Sequence, residues 1–241
     1  MKRLIFTLAV LTLAYSATQA GSYVDKLNDL MARGATLSDN DGGLSAVGAR
    51  YFGKGGIQLV RNMQGRQGAL TLPDLDPGTA ISAFTAEVEY VATELDTSGT
   101  GMFPQRGTGM GFVFGSFPAL MMGADMQGPI NLDGLAVGFD TNYDGSPAGI
   151  RVFVDGVLIA VNETVNPATT DFARYRVVYD ANGLDVLLNT NTAAGFVPVF
   201  TDLDLGAGFT PAAGDRFALT ASCDDNVNRI IITDIKIQTT P

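Results

Sequence analysis

The chain has 241 residues, with 15 Lys+Arg against 25 Asp+Glu, no His, no Trp and one Cys, for a net charge of −10. That acidity excludes nucleic-acid phosphates and anionic lipid surfaces as expected partners. The missing His removes Ser-His-Asp and Cys-His catalysis, His-based zinc sites and His-ligated haem. A 46% hydrophobic share supplies a full core, and 29 Gly with only 17% charged residues fit one turn-rich β domain.

Residues 1–20 are predicted to be a secretory signal. Lys2 and Arg3 form the positive start, the apolar run 4–14 is too short to span a bilayer, and Thr18 and Ala20 put small residues at −3 and −1 of a cut before Gly21. Removing this leader takes the basic count from 15 to 13 and the net charge to −12. The expected location is therefore secreted or extracellular, with no membrane partner after cleavage. Cys223 has no internal disulfide partner, and its alternating context predicts a buried thiol. Residues 21–34 are predicted to form a short helix. Ser22 and Asp25 make a start like a capping box, Tyr23, Leu27, Leu30 and Met31 share a face, and Gly34 suits the position just past the end.

Residues 35–241 are predicted to be strands joined by turns. Phe84, Ala86, Val88 and Tyr90 alternate with Thr85, Glu87 and Glu89, and Tyr175, Val177 and Tyr179 alternate with Arg174 and Arg176. Further strands are expected at 57–61, 68–72, 109–115, 134–141, 149–154, 157–161, 184–188, 216–222 and 229–238. Asp155-Gly156 reads as a tight hairpin corner, and Asp180-Ala181-Asn182-Gly183 as a turn. About a dozen strands with no helix between them exclude a parallel α/β sheet and predict a two-sheet antiparallel sandwich. The looser segment 102–127, with Met121, Met122 and Met126, reads as a long loop around one strand; its apolar side chains line a groove or fill gaps.

The order of these segments resembles the concanavalin A-like lectin/glucanase superfamily, in particular secreted bacterial laminin-G-like and L-type-lectin-like jelly rolls. The resemblance is carried by Gln67-Gly68-Ala69-Leu70, Ala83-Phe84-Thr85-Ala86-Glu87-Val88, the run from Gly109 to Gly115, Gly134 to Thr141, Gly149-Ile150-Arg151-Val152 with Asp155-Gly156, Gly214-Asp215-Arg216-Phe217 and the closing strand to Ile237. It implies an all-β jelly roll, here with one short N-terminal helix. The same fold hosts lectins, hydrolases, lyases and adhesion modules, so activity has to be argued from the site.

Asp140-Thr141-Asn142-Tyr143-Asp144-Gly145 sets oxygen side chains at positions one, three and five before a Gly, as in the opening of a calcium loop. Arg151 stands where an EF-hand needs its Glu, which excludes that motif; the alternative is an Asx-rich turn. In L-type lectins the equivalent strand and loop hold calcium beside the sugar. The resemblance therefore implies Asp140, Asn142 and Asp144 as calcium ligands, with the Tyr143 carbonyl. Gly138 and the absence of His depart from the pattern that binds a second, transition metal in those lectins. Asp133, before the same strand, is implied as a ligand-binding residue. The acidic loop Asp224-Asp225-Asn226 offers a further ligand contact, as does Asp39-Asn40-Asp41; each is otherwise a solvated turn. Without Trp, a sugar platform falls to Tyr143, Tyr51 or Phe117. The superfamily's glucanases carry alternate carboxylates on one strand. Glu87 and Glu89 share a face here, but no third acid follows in register, so no catalytic residue is assigned. Asn162-Glu163-Thr164 is a glycosylation sequon on an exposed turn.

The expected function is a secreted, non-enzymatic, lectin-like domain binding glycan or another extracellular ligand through loops at one sheet end, with calcium as cofactor. The first alternative is a self-assembling structural subunit of an extracellular filament, matrix or coat. The second is a carbohydrate-active hydrolase or lyase.

Overall fold

In a computed structural model of the chain, the alternating side chains from Phe84 to Val88 and from Arg174 to Val177 alternate between the core and a more open face. The structure describes residues 20–27, 34–39, 45–47, 55–60, 66–94, 108–116, 132–141, 148–169, 171–190, 194–223 and 228–241. Every regular element among them is a strand: β1 (Ser22–Asp25), β2 (Thr36–Asp39), β3 (Ser45–Val47), β4 (Gly56–Val60), β5 (Arg66–Thr71), β6 (Ala83–Glu94), β7 (Thr108–Ser116), β8 (Asp133–Asp140), β9 (Gly149–Val154), β10 (Val157–Asn162), β11 (Ala173–Asp180), β12 (Gly183–Asn189), β13 (Val197–Leu203), β14 (Arg216–Cys223) and β15 (Asn228–Thr240).

They build two antiparallel sheets. One has the order β13-β12-β11-β6-β15-β4-β3, with β1 also paired to β15; the other has the order β10-β9-β8-β7-β14-β5-β2. β6 lies in the first sheet and β7 and β14 in the second, so Phe84, Val88 and Tyr90 of β6 meet Phe112, Phe114 and Phe217 of the facing sheet in one apolar core. Phe114 stacks on Phe217 with centroids 4.8 Å apart, and Phe139 on Tyr175 at 4.3 Å. The Tyr90 hydroxyl donates to the Pro167 carbonyl at 2.8 Å, which satisfies a buried phenol. The Asp155-Gly156 corner takes left-handed φ at both residues, 51° and 76°, as a two-residue hairpin with right-twisted strands requires.

The N-terminal helix is corrected. Residues from Ser22 to Asp25 form β1, in register from Ser22 opposite Gln238 to Asp25 opposite Ile235. The Leu27 amide donates to the Asp25 carboxylate at 2.9 Å and Leu27 has φ 38°, so the chain turns at the point where a helix would bond that amide to Tyr23. Tyr23 and Leu27 are buried as the helical pattern required, but by pairing with β15 and a turn. Leu30 and Met31 lie outside the described residues, as do residues 1–19, Asn40, Asp41, Tyr51, Phe117, the Met121, Met122 and Met126 cluster, and the Cys223 side chain.

Candidate functional site

The strand register sorts the acidic candidates by position. β8 begins at Asp133 and ends at Asp140, a span of about 23 Å at ~3.3 Å per residue. Asp133 and Asp140 therefore sit at opposite ends of that strand. At the Asp133 end, Gly134 N donates to Asp155 Oδ1 at 2.8 Å. Asp215 lies there too; burial pushes its carboxyl pKa up, the Ala212 amide pulls it down, and the charges of Asp133 and Asp74 push it up further.

At the other end, Asp140 lies opposite Gly109 of β7, Gly109 opposite Ser222 of β14, and Ser222 opposite Gln67 of β5. These four positions form one row across the outward face, since directly paired residues share a face. Two inter-strand steps separate Asp140 from Ser222, about 10 Å. The chain continues from Thr141 into residues 142–147 and from Cys223 into residues 224–227, so both acidic loops are attached at this end. Asn142, Tyr143, Asp144, Asp224, Asp225 and Asn226 themselves lie outside the described residues.

Asp140 points outward because its neighbour Phe139 is fixed inward against Tyr175. Its Oδ2 accepts a bond from Arg151 Nη1 at 2.7 Å, both side chains being mostly buried, and Arg151 Nη2 approaches Glu163 at 3.6 Å. Arg151 is directly opposite Gly138. A residue with no side chain there lets the guanidinium lie over the sheet and reach diagonally to Asp140. The row behind runs Gly138, Gly111, Thr220, Ala69 and Ser38 across successive strands. Ser38 Oγ and Ser222 Oγ, both on this face, are shielded from solvent and hydrogen-bond to no described residue. Asp140 and Arg151 thus set a carboxylate and a guanidinium at this end of the face, with Ser222 two strands away, while Ser38 lies four strands from Gly138.

Arg151 and Ser222 were not assigned as site residues from the sequence. Arg151 entered only as a residue unfit for an EF-hand, and Ser222 as the end of a strand. The available signal was Gly138, a gap in the outward face that the facing strand fills with a long cation.

The donor set of the Asp140 loop is one calcium accepts: two carboxylates, one amide and one carbonyl, all hard oxygens. Among the described residues no group of three or more acidic, Cys or His residues forms a metal cluster. At Asp140 the local cation is Arg151.

Glu87 and Glu89 face outward from the other sheet and are engaged by arginines. Arg174 donates to Glu89 Oε2 at 3.0 and 2.8 Å, Arg176 donates to Glu87 Oε2 at 2.7 Å, and the Thr233 hydroxyl donates to Glu89 Oε1 at 3.0 Å. The hydrogen bond to Glu89 raises the Arg174 pKa further. In the sequon, Asn162 Nδ2 donates to the Val199 carbonyl at 3.2 Å, while Glu163 and Thr164 are exposed.

No protein-family model matches the chain, and no curated protein matches its sequence. Solved structures do share its fold. The carbohydrate recognition domain of Emp47p aligns with a TM-score of 0.64 at 19% identity, covering 93% of this chain and 99% of that one. Peanut lectin in complex with a nonapeptide gives 0.66 at 14% identity, covering 92% and 98%. The exoplasmic/lumenal domain of VIP36, bound to Ca²⁺ and Man2, gives 0.63 at 14% identity, covering 91% and 88%. These neighbours are L-type lectin domains, and the fold is the concanavalin A-like jelly roll that they share.

Proposed function

We propose that the chain is a secreted, non-enzymatic, glycan-binding module whose contacts lie on the outward face of the seven-stranded sheet at the Asp140 end. The observation that carries this reading is the row Asp140, Gly109 and Ser222, which brings the attachment points of both acidic loops to one end of the sheet beside Arg151. Sugar hydroxyls both donate and accept, so they can pair a carboxylate, a guanidinium and a serine at once. Asp140, Asn142, Asp144 and the Tyr143 carbonyl would hold calcium, which would fix the loop for the ligand; Asp224, Asp225 and Asn226 would rim the same site. Asp133, at the far end, is left out of it. The arginine partners of Glu87 and Glu89 support a structural role for the one carboxylate pair that resembles a glucanase strand.

A glycan array probed with the mature protein, with and without chelator, tests this. Binding that falls in Asp140→Asn and Ser222→Ala is expected. No glycan bound in either buffer, with no calcium shift in melting, would remove the reading.

A second reading, self-assembly through a sheet edge, is favoured by β10. Among the described residues this edge strand pairs only with β9; it carries no charge and leaves Val157, Leu158, Ile159 and Val161 between 38% and 63% exposed.

A further inference from the structure

Asp76, in the turn after β5, is a carboxylate only 5% exposed. Its oxygens face the residue before β1 and the end of β15: Gly21 N donates to Oδ1 at 3.0 Å, and the Thr239 hydroxyl donates to Oδ2. Thr239 N in turn donates to the Gly21 carbonyl at 3.0 Å, so residue 21 is held between the turn and β15. Among the described residues no Lys or Arg pairs with Asp76. A carboxylate withdrawn from water needs donors for its lone pairs, and here the Gly21 amide and the Thr239 hydroxyl supply them. Gly21 also cannot be exchanged: a Cβ there would lie 2.4 Å from the Leu75 carbonyl oxygen and 2.9 Å from Asp76 Oδ2. The chain emerges immediately before it, since Ala20 is exposed.

The residue held in this way is the one expected to begin the mature protein, given Thr18 and Ala20 at −3 and −1. Hydrolysis of the Ala20–Gly21 bond adds water. Ala20 leaves as a carboxylate, and the Gly21 nitrogen becomes a primary amine that is protonated at neutral pH. That nitrogen is the atom already 3.0 Å from Asp76.

We propose that Asp76 is the receptor for the α-ammonium group created at Gly21 by leader removal. Cleavage converts a neutral amide contact into a buried ion pair and fastens the new terminus to β15 through Thr239. The inference rests on the leader reading and is independent of the glycan site.

The test begins with the full precursor expressed in an exporting host and the terminus of its product read by mass spectrometry and terminal sequencing. Gly21 is expected; any other first residue overturns the proposal. The form starting at Gly21 is then compared with one retaining Ala20, each with and without Asp76→Asn. The extra residue should lower Tm by about 4–8 °C, and Asp76→Asn should abolish that difference. No difference between the two starts, or the same difference without Asp76, overturns it. Should Asp76→Asn fail to fold, the acetylation rate of the Gly21 amine decides: about tenfold slower in the folded protein than in urea is expected, and equal rates refute the docking.

Discussion

Replacing Arg151 by Gln tests how the Asp140 end is held together and what calcium would have to displace. Two unit charges near 3.5 Å attract by about 5 kcal/mol at an effective dielectric of 20. Desolvation and ordering reduce such a charge-assisted bond to about 1.5–3 kcal/mol net. The side chains of Arg151 and Asp140 are 12% and 16% exposed, so solvent screens little of this. At roughly 2–4 °C per kcal/mol for a chain of this size, Arg151→Gln in chelator should melt about 3–12 °C below wild type. Adding calcium at a hundredfold excess over its Kd would restore about 2.7 kcal/mol to any form that binds it. With the guanidinium gone, Asp140 is open to the metal, so calcium should raise the Tm of the variant by more than that of wild type. Differential scanning calorimetry of both proteins in EGTA and in millimolar calcium reads this directly. Equal calcium shifts would show that the guanidinium and the metal do not share Asp140, and an unchanged Tm in chelator would show that the ion pair contributes nothing.

Burial raises the phenol pKa of Tyr90 and, with the Tyr90 charge as a secondary cause, of Tyr175. Above pH 10 the folded state therefore holds protons the unfolded state has released, and stability should fall as pH rises past that point; alkaline absorbance at 295 nm should show both phenols ionising only on unfolding. Arg174→Met alone leaves Glu89, 4% exposed, without its guanidinium, and should cost about 2–4 kcal/mol in urea melts, whereas Arg174→Met with Glu89→Leu should regain most of it. Under the assembly reading, Leu158→Lys should abolish concentration-dependent sedimentation without lowering Tm; sedimentation unchanged by the substitution would discard β10 as a contact.

The sandwich could be read in the chain wherever one strand face is buried, because alternation then records burial directly. Phe84 to Tyr90 and Tyr175 to Tyr179 are clear cases, and the Asp155-Gly156 corner is local chemistry. β13 was not read because neither face is deeply buried and Pro198 interrupts it, so burial left no period behind. β1 was misread because Tyr23 and Leu27 are four apart, a spacing that fits a helix face as well as a strand followed by a turn. Pairing with β15, over 200 residues away, decided between them. The candidate site was half legible. Asp140 announces itself by its loop, but its neighbours Arg151 and Ser222 arrive through registers with β9 and β14 that no local pattern encodes. For the same reason Asp133 stood close to Asp140 in sequence and far from it in space.

The final strand runs between β6 on one flank and β1 and β4 on the other. Without residues 228–241 the larger sheet consequently has a long gap in its middle, and β1 loses the strand it pairs with. Joining β6 to β1 and β4 therefore rests on contacts of long sequence separation, which places closure of this sheet late in folding.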